Sequence, residues 1–273
     1  MICGLMTSSC CGNRLRTVCG VVTLKSKINR CRVVFKFASD NRLIDRPVEF
    51  GKSFNRPSEK MLCQARNEAG PRLFEAEEIR RILEASDSAM KAMVLLGINC
   101  GFGNTDVASL PRSAVDLESG WINYPRPKTA VQRRVPLWPE TIAALREAIA
   151  ERPLPNDSAN ADLCFVTSRD TKYVRVQESK TMKGRHVTVN SLSRRFESLM
   201  KRLGINHRKG IGFYTLRHVF ETVAGESKDQ VAVNAIMGHV DSSMAGVYRE
   251  RISDERLRAV VETVHGWLFG GED

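Results

Sequence analysis

Tyr248 stands nine residues after His239 in the run Met237-Gly238-His239-(x8)-Tyr248, and Arg217 lies upstream in Tyr214-Thr215-Leu216-Arg217-His218. A tyrosine hydroxyl, with an ordinary pKa near 10, is a weak nucleophile. To attack a phosphodiester near neutral pH it needs cations around the phosphate and an acceptor for its proton. Arginine suits the nonbridging oxygens of a phosphorane-like transition state, because its planar fork donates bidentately and keeps its charge. The leaving 5′ oxygen needs a proton, which a lysine on a mobile hairpin can supply. Each residue also has a plainer reading. Tyr248 can be a half-buried helix tyrosine, His239 after Gly238 a helix C-cap, and a loop lysine such as Lys128 a solvated charge.

The charge balance favours the chemical reading. In 273 residues there are 42 Lys and Arg against 31 acids, a net charge of +11. Residues 172–209 carry eleven of the cations (Lys172, Arg175, Lys180, Lys183, Arg185, Arg194, Arg195, Lys201, Arg202, Arg208 and Lys209) against two acids, Glu178 and Glu197. A one-signed stretch of this size suits a polyanionic partner such as nucleic acid, the alternative being a solvated face. No stretch reaches the roughly 20 apolar residues of a membrane span, so a cytoplasmic protein is expected. Five of eight cysteines (Cys3, Cys10, Cys11, Cys19 and Cys31) fall in the first 31 residues without a secretory pattern or metal-ligand spacing. Neither a disulfide framework nor a metal site is expected. Cys100 and Cys164 sit in apolar runs and read as core thiols.

The elements that must position these side chains follow from periodicity. Residues 1–23 lack pattern and read as flexible. Residues 25–38 suit a basic amphipathic helix with Ile28, Val33, Val34 and Phe37 on its apolar side. Pro47, Pro57 and Pro71 mark irregular chain after it. Beyond residue 72, helices are expected over 74–85, 90–99, 139–151, 191–203, 215–224, 228–237, 243–251 and 254–268, with Ser253 as a cap for the last. Short strands are expected over 121–124 and 133–137, around a turn at Lys128-Thr129, and over 163–167. The fold class is mainly α with a small antiparallel β-sheet (α+β).

From residue 72 onward the chain resembles the tyrosine recombinases, the phage-integrase family. The resemblance rests on Leu216-Arg217-His218-(x2)-Glu221-Thr222, the Gly238-His239 step, the spacing to Tyr248, and Lys128-Thr129 followed by Arg133-Arg134-Val135-Pro136-Leu137. It implies a recombinase-like catalytic domain over 72–273, a linker over 58–71, and a flexible N-terminus with a truncated helical core-binding segment over 1–57. A shortened copy or a start upstream of residue 1 is expected on that account. It also implies that Tyr248 forms a covalent 3′-phosphotyrosyl link. Arg217 would clamp the phosphate, His239 would hydrogen-bond it, and Lys128 would protonate the leaving oxygen. The implied partner is double-stranded DNA in the nucleoid, with self-assembly on it as a dimer or tetramer, no membrane, and no metal or nucleotide cofactor. Arg126, Lys172, Arg175, Lys183, Arg185, Arg194, Arg195, Lys201 and Arg202 are the candidate DNA-binding residues.

Two positions depart from the family pattern. Tyr214 stands three residues before Arg217, where histidine is common; it can donate a hydrogen bond but is a poorer proton acceptor. Gly101-Phe102-Gly103-Asn104-Thr105-Asp106-Val107 aligns with Gly-x-Arg-x-x-Glu-Leu, so Gly103 occupies the first-arginine position. Arg126, two residues before Lys128 and on its face if the strand is extended, is the expected substitute, with Arg112 second. The competing expectation is an integrase relic that grips DNA without cutting it; a relaxing topoisomerase with the same tyrosine chemistry is a third.

Overall fold

The computed structural model describes residues 18–179, 181–205, 208 and 210–270, and the chain divides between Pro71 and Arg72 into two units. The first contains helix α1 (Val21–Asp40). Only Leu24 and Ile28 of α1 are buried, against Phe54, while Val33, Val34 and Phe37 are exposed. Among the described residues, the expected apolar stripe is thus covered over its first two turns only, with Phe54 and the partly buried Phe50 packed there. The proline-marked stretch after it is not irregular throughout. Ser58 Oγ accepts from Met61 N (3.3 Å) and starts helix α2 (Glu59–Glu68), a cap that satisfies one orphan N–H.

The second unit is built around α4. Helix α3 (Ala76–Glu84) buries Ile79, Ile82 and Leu83, and α4 (Ser88–Asn99) is buried along nearly its whole length from Met90. A helix apolar on all sides must be wrapped by others. It is followed by the short α5 (Asn104–Ala108) and the antiparallel sheet β1 (Val115–Asp116), β2 (Trp121–Asn123) and β3 (Arg134–Pro136). In that sheet Ile122 pairs with Val135. Helix α6 (Pro139–Ala150) then packs on α4. Asn99 ties these pieces together: its Nδ2 donates to Pro136 O (3.1 Å), and its Oδ1 accepts from Trp138 N and Thr141 Oγ1, both at 3.0 Å. A buried amide with its partners met fixes register between elements.

A second hairpin, β4 (Val174–Glu178) with β5 (His186–Asn190), leads into α7 (Ser191–Arg202). Then come α8 (Thr215–Ala224), α9 (Gln230–Met237), α10 (Met244–Tyr248) and α11 (Asp254–Phe269). Gly204, at φ +70°, stops α7 in the left-handed conformation that glycine favours. The strand expected over 163–167 does not form. Leu163 makes one isolated bridge to Pro111 and the chain turns at Thr167–Thr171, although Leu163, Cys164, Phe165 and Val166 are buried. Here burial, not sheet pairing, explains the apolar run. The β4–β5 hairpin carries a strand pattern, valines alternating with Arg175, Gln177, His186, Thr188 and Asn190, which the dominant cations of the stretch masked. Cys100 and Cys164 are buried, as expected of core thiols, and burial raises both pKa values, that of Cys164 to about 12.

Candidate active site

Arg217 lies in the first turn of α8 and is 2% exposed. Close packing brings the chain to it. A Cβ on Gly101 (φ +61°) would stand 2.7 Å from Met237 Sδ and 2.8 Å from Phe220 Cδ1, so only glycine allows this approach. Arg217 Nη1 donates to Gly101 O, and Nη2 donates to Met237 O (2.7 Å) and to His239 Nε2 (3.2 Å). Three of the five N–H groups of the guanidinium are therefore held by protein, which fixes its plane and leaves two for a ligand.

His239 follows Gly238, which ends α9 in the left-handed region at φ 65°. The same step returns His239 N to Asn234 O (2.9 Å), while His239 Nδ1 donates to Asn234 Oδ1 (3.3 Å). One neutral tautomer, protonated on Nδ1 and bare on Nε2, satisfies both Asn234 and Arg217. Burial first, then Arg217, lowers the His239 pKa below its ordinary value; Glu221 opposes them and Arg126 adds to them.

The β2–β3 turn closes on the same glycine. Arg126, 9% exposed, donates from Nη1 to Gly238 O (3.3 Å), which also accepts from Thr129 Oγ1 (3.1 Å). Backbone bonds Ala130 N to Arg126 O (2.8 Å) and Arg126 N to Val131 O (2.9 Å) tie off the turn. Arg126 and Lys128 therefore do not share a face as the extended-strand reading expected. The chain turns at Pro127, Arg126 goes inward and Lys128 is exposed at the tip. Burial lowers the Arg217 pKa, and the neighbouring Arg126 charge lowers it further, opposed by Tyr214, Asp106 and Glu221. Arg112 is not brought here: it bonds Ala161 O (3.2 Å) and lies 4.0 Å from Asp162.

Gly103 caps α5 with φ −89° and ψ 176°, an extended backbone open to any residue. A side chain at 103 would press on Tyr214, whose ring carbons would stand 3.0 and 3.3 Å from its Cβ, and on Asp106 Oδ2 at 3.3 Å. The two departures from the family pattern are thus neighbours, with the Tyr214 ring packed against the Gly103 backbone. Tyr214 is 45% exposed, and its ring meets that of His218 edge-on at 5.2 Å. Below the corner, Asp106 accepts from Gly103 N (2.8 Å) and from Arg133 Nη2 (3.2 Å).

Tyr248 ends the short α10 and is 77% exposed. Among the described residues it has no hydrogen bond to Arg217, His239 or Tyr214. Its segment is pinned by Asp241, which accepts from Ser243 N (3.0 Å), Ser243 Oγ (2.6 Å) and Arg249 Nη1 (3.0 Å). Beneath lies a cavity of about 490 Å³ bordered by Arg133, Asn234, His239, Asp241 and Arg249.

The basic stretch joins the site at Asn104, whose Nδ2 donates to Ser193 Oγ (3.0 Å) in the first turn of α7. Lys183, Arg185, Arg194, Lys201 and Arg202 are exposed, and Lys172 and Arg175 partly so. Two cations are committed to the protein. Arg195 pairs with Asp87 (2.6 Å) and bonds the Tyr173 hydroxyl, and Arg208 pairs with Glu78. Lys180 and Lys209 lie outside the described residues, as do Cys3, Cys10 and Cys11. A wider cavity of about 840 Å³, with Arg169, Arg175, Arg194 and Arg195 on its wall, lies on this face; its lining includes none of Arg126, Arg217 or His239. Sequence reasoning missed Asn234, which bonds His239; Asp241, which bonds Ser243 and Arg249; and Arg133, whose partner Asp106 comes from distant chain.

The model of the phage integrase family matches residues 72–254, about two-thirds of the chain. No curated protein sequence matches significantly. Among solved structures, the chain is similar to a Tn1549 transposon integrase in complex with a circular-intermediate DNA, at 15% identity and TM-score 0.62, covering 93% of this chain and 83% of that one. It is also similar to a lambda integrase dimer bound to a COC′ core site, at 15% identity and TM-score 0.57, covering 90% and 81%. At these identities the likeness establishes the tyrosine-recombinase fold.

Proposed function

Because this chain belongs to the phage integrase family, we propose that it is a site-specific recombinase that breaks and rejoins double-stranded DNA through a 3′-phosphotyrosyl link on Tyr248. The observation that carries this reading is the convergence of Arg217, Arg126 and His239 on the Gly238 turn. Buried guanidiniums that repel one another are costly without an anion between them, and a phosphodiester supplies one.

In this reading Arg217 and Arg126 hold the nonbridging oxygens, and the backbone bonds to Gly101, Met237 and Gly238 preorganise them. Phosphate binding replaces the Arg217–His239 bond, and His239, protonated on Nε2, donates to the phosphate. Tyr248, 77% exposed, gives its phenolic proton to water as its oxygen attacks phosphorus and the bond to O5′ breaks; Lys128, at the exposed turn, gives O5′ its proton, and Tyr214 donates a further hydrogen bond. Rejoining reverses these steps with a 5′ hydroxyl as nucleophile, so the covalent bond conserves the energy. Tyr248 must move inward, and the segment carrying it is short and exposed. Residues 72–273 act as the catalytic domain, residues 1–57 contribute to core binding, and assembly on DNA is as a dimer or tetramer. Among the described residues no helix is long and apolar enough to cross a membrane.

A second reading, a relic that binds DNA without cutting it, draws on one observation: the Tyr214 ring packs where a side chain at Gly103 would press on it. A duplex nicked near the scissile phosphate, which loses its short 5′ fragment after cleavage, tests the choice. The recombinase reading expects a covalent protein–DNA adduct; the relic reading expects binding with none.

A further inference from the structure

Arg133 is the charged group of this site that the steps above leave unused. Its side chain is 0% exposed. Nε donates to Tyr124 O (3.1 Å) and Nη2 to Asp106 Oδ1 (3.2 Å), while Nη1 is buried with no hydrogen-bond partner among the described residues. The guanidinium carbon lies 4.2 Å from the centre of the Phe102 ring and 5.3 Å from that of Tyr124. Phe102 is the neighbour of Gly103, and the Asp106 carboxylate that Arg133 grips also holds the Gly103 N–H (2.8 Å). The guanidinium is therefore seated against the corner at which the arginine side chain is missing. On its other side, a Cβ on Gly238 would meet Arg133 Cδ at 2.9 Å and Arg126 Cβ at 3.0 Å, so Arg133 and Arg126 flank one glycine.

The charges do not balance. Among the described residues, Arg126, Arg133 and Arg217 are buried with a single buried carboxylate, Asp106. A structural ion pair alone needs one arginine for that carboxylate and all donors satisfied. An orphaned, charged N–H in a cluster of excess positive charge instead marks a site arranged for an anion.

We propose that Arg133 adds, from beneath the Gly103 corner, positive charge to the phosphate site, supplementing the donor that Arg126 supplies in place of an arginine at 103. It is a positioning residue: through Asp106 it holds the corner, and through the low-dielectric interior it stabilises the charge that develops on the nonbridging oxygens. The proposal rests on the reading that this cluster receives the scissile phosphate.

The test compares a nicked duplex carrying an ordinary scissile phosphodiester with one carrying an uncharged methylphosphonate at the same position. The methylphosphonate removes the charge to be stabilised and leaves the duplex otherwise alike. Arg133→Met keeps the apolar stem. It is expected to lower covalent capture on the phosphodiester on the order of 10²-fold and to stay within about threefold of wild type on the methylphosphonate. It is also expected to lower the binding preference for the charged duplex about tenfold. Equal loss on both substrates, or no loss, overturns the proposal, since a structural arginine does not sense the charge of the ligand. Should Arg133→Met fail to fold, Arg133→Gln decides. It is neutral and keeps a donor for Asp106, so the same charge-selective loss is expected, on the order of 10²-fold on the phosphodiester and within about threefold of wild type on the methylphosphonate. Equal loss on both substrates, or none, in Arg133→Gln overturns the proposal. A wild-type protein that captures neither substrate sinks the recombinase reading, while the binding preference still decides the role of Arg133.

Discussion

Arg126→Met separates catalysis from stability at the substitute cation. The methyl thioether keeps the stem that packs beside Gly238, where a Cβ would meet Arg126 Cβ at 3.0 Å and Cδ at 3.1 Å. What is lost is the Nη1 bond to Gly238 O at 3.3 Å, long for such a bond, and that carbonyl keeps Thr129 Oγ1 at 3.1 Å. A net hydrogen bond contributes about 0.5–1.5 kcal/mol. Against that loss stands relief of the repulsion that lowers the Arg217 pKa. The two effects oppose each other, so the stability change should be within about 1 kcal/mol. The rate change should be far larger, because losing one preorganised donor to a developing oxyanion typically costs about 10²–10³-fold, or roughly 3–4 kcal/mol. Urea unfolding gives the first quantity, and single-turnover adduct formation on a nicked duplex gives the second. A variant that loses several kcal/mol of stability while its adduct rate per folded molecule is unchanged refutes the assignment and makes Arg126 a strut.

Three further outcomes follow from the same geometry. Gly103→Arg should change adduct formation by less than about tenfold, even when paired with Tyr214→His to clear the ring, because Arg126 already holds a donor position worth about 10²-fold; a rise of that size in the double variant alone favours the relic reading. Duplex binding by a Tyr248→Phe protein should tighten as pH falls: the free-state His239 pKa is lowered by burial and Arg217, a bound phosphate raises it, and binding takes up a proton between the two values. Titration by fluorescence anisotropy should show this dependence ending below the free-state value, and His239→Gln should flatten it; a slope that survives in His239→Gln assigns the proton elsewhere. Finally, reversing Arg194, Lys201 and Arg202 to Glu should flatten the salt dependence of binding, whose log–log slope is about −0.9 per phosphate neutralised, whereas an unchanged slope moves the DNA face off α7.

The sequence was most legible where local signals decide. The buried run in α4, the proline at the start of α6, the Gly204 stop and the turn at Lys128-Thr129 each carry their own physics, and the helices lie within a few residues of where periodicity puts them. It was least legible where a residue's neighbours come from distant chain. That Arg126 turns inward while Lys128 turns out depends on the Gly238 carbonyl 112 residues away. That a ring packs against Gly103 depends on Tyr214. Arg133 was read only as part of a strand because its partners, Asp106 and the Phe102 ring, are not adjacent in sequence. In α1, the exposed Val33, Val34 and Phe37 show the converse, an apolar pattern that the described residues of its own unit do not cover.

The central claim is that Tyr248 is the nucleophile, and the direct measurement is denaturing electrophoresis of wild-type and Tyr248→Phe protein after incubation with the nicked duplex. The account predicts a protein–DNA adduct for wild type and none for Tyr248→Phe, with duplex affinity within about twofold, since the substitution removes the attacking oxygen from a side chain that is 77% exposed and packs little. Equal adduct from both proteins, or none from wild type under conditions where it binds the duplex, contradicts it.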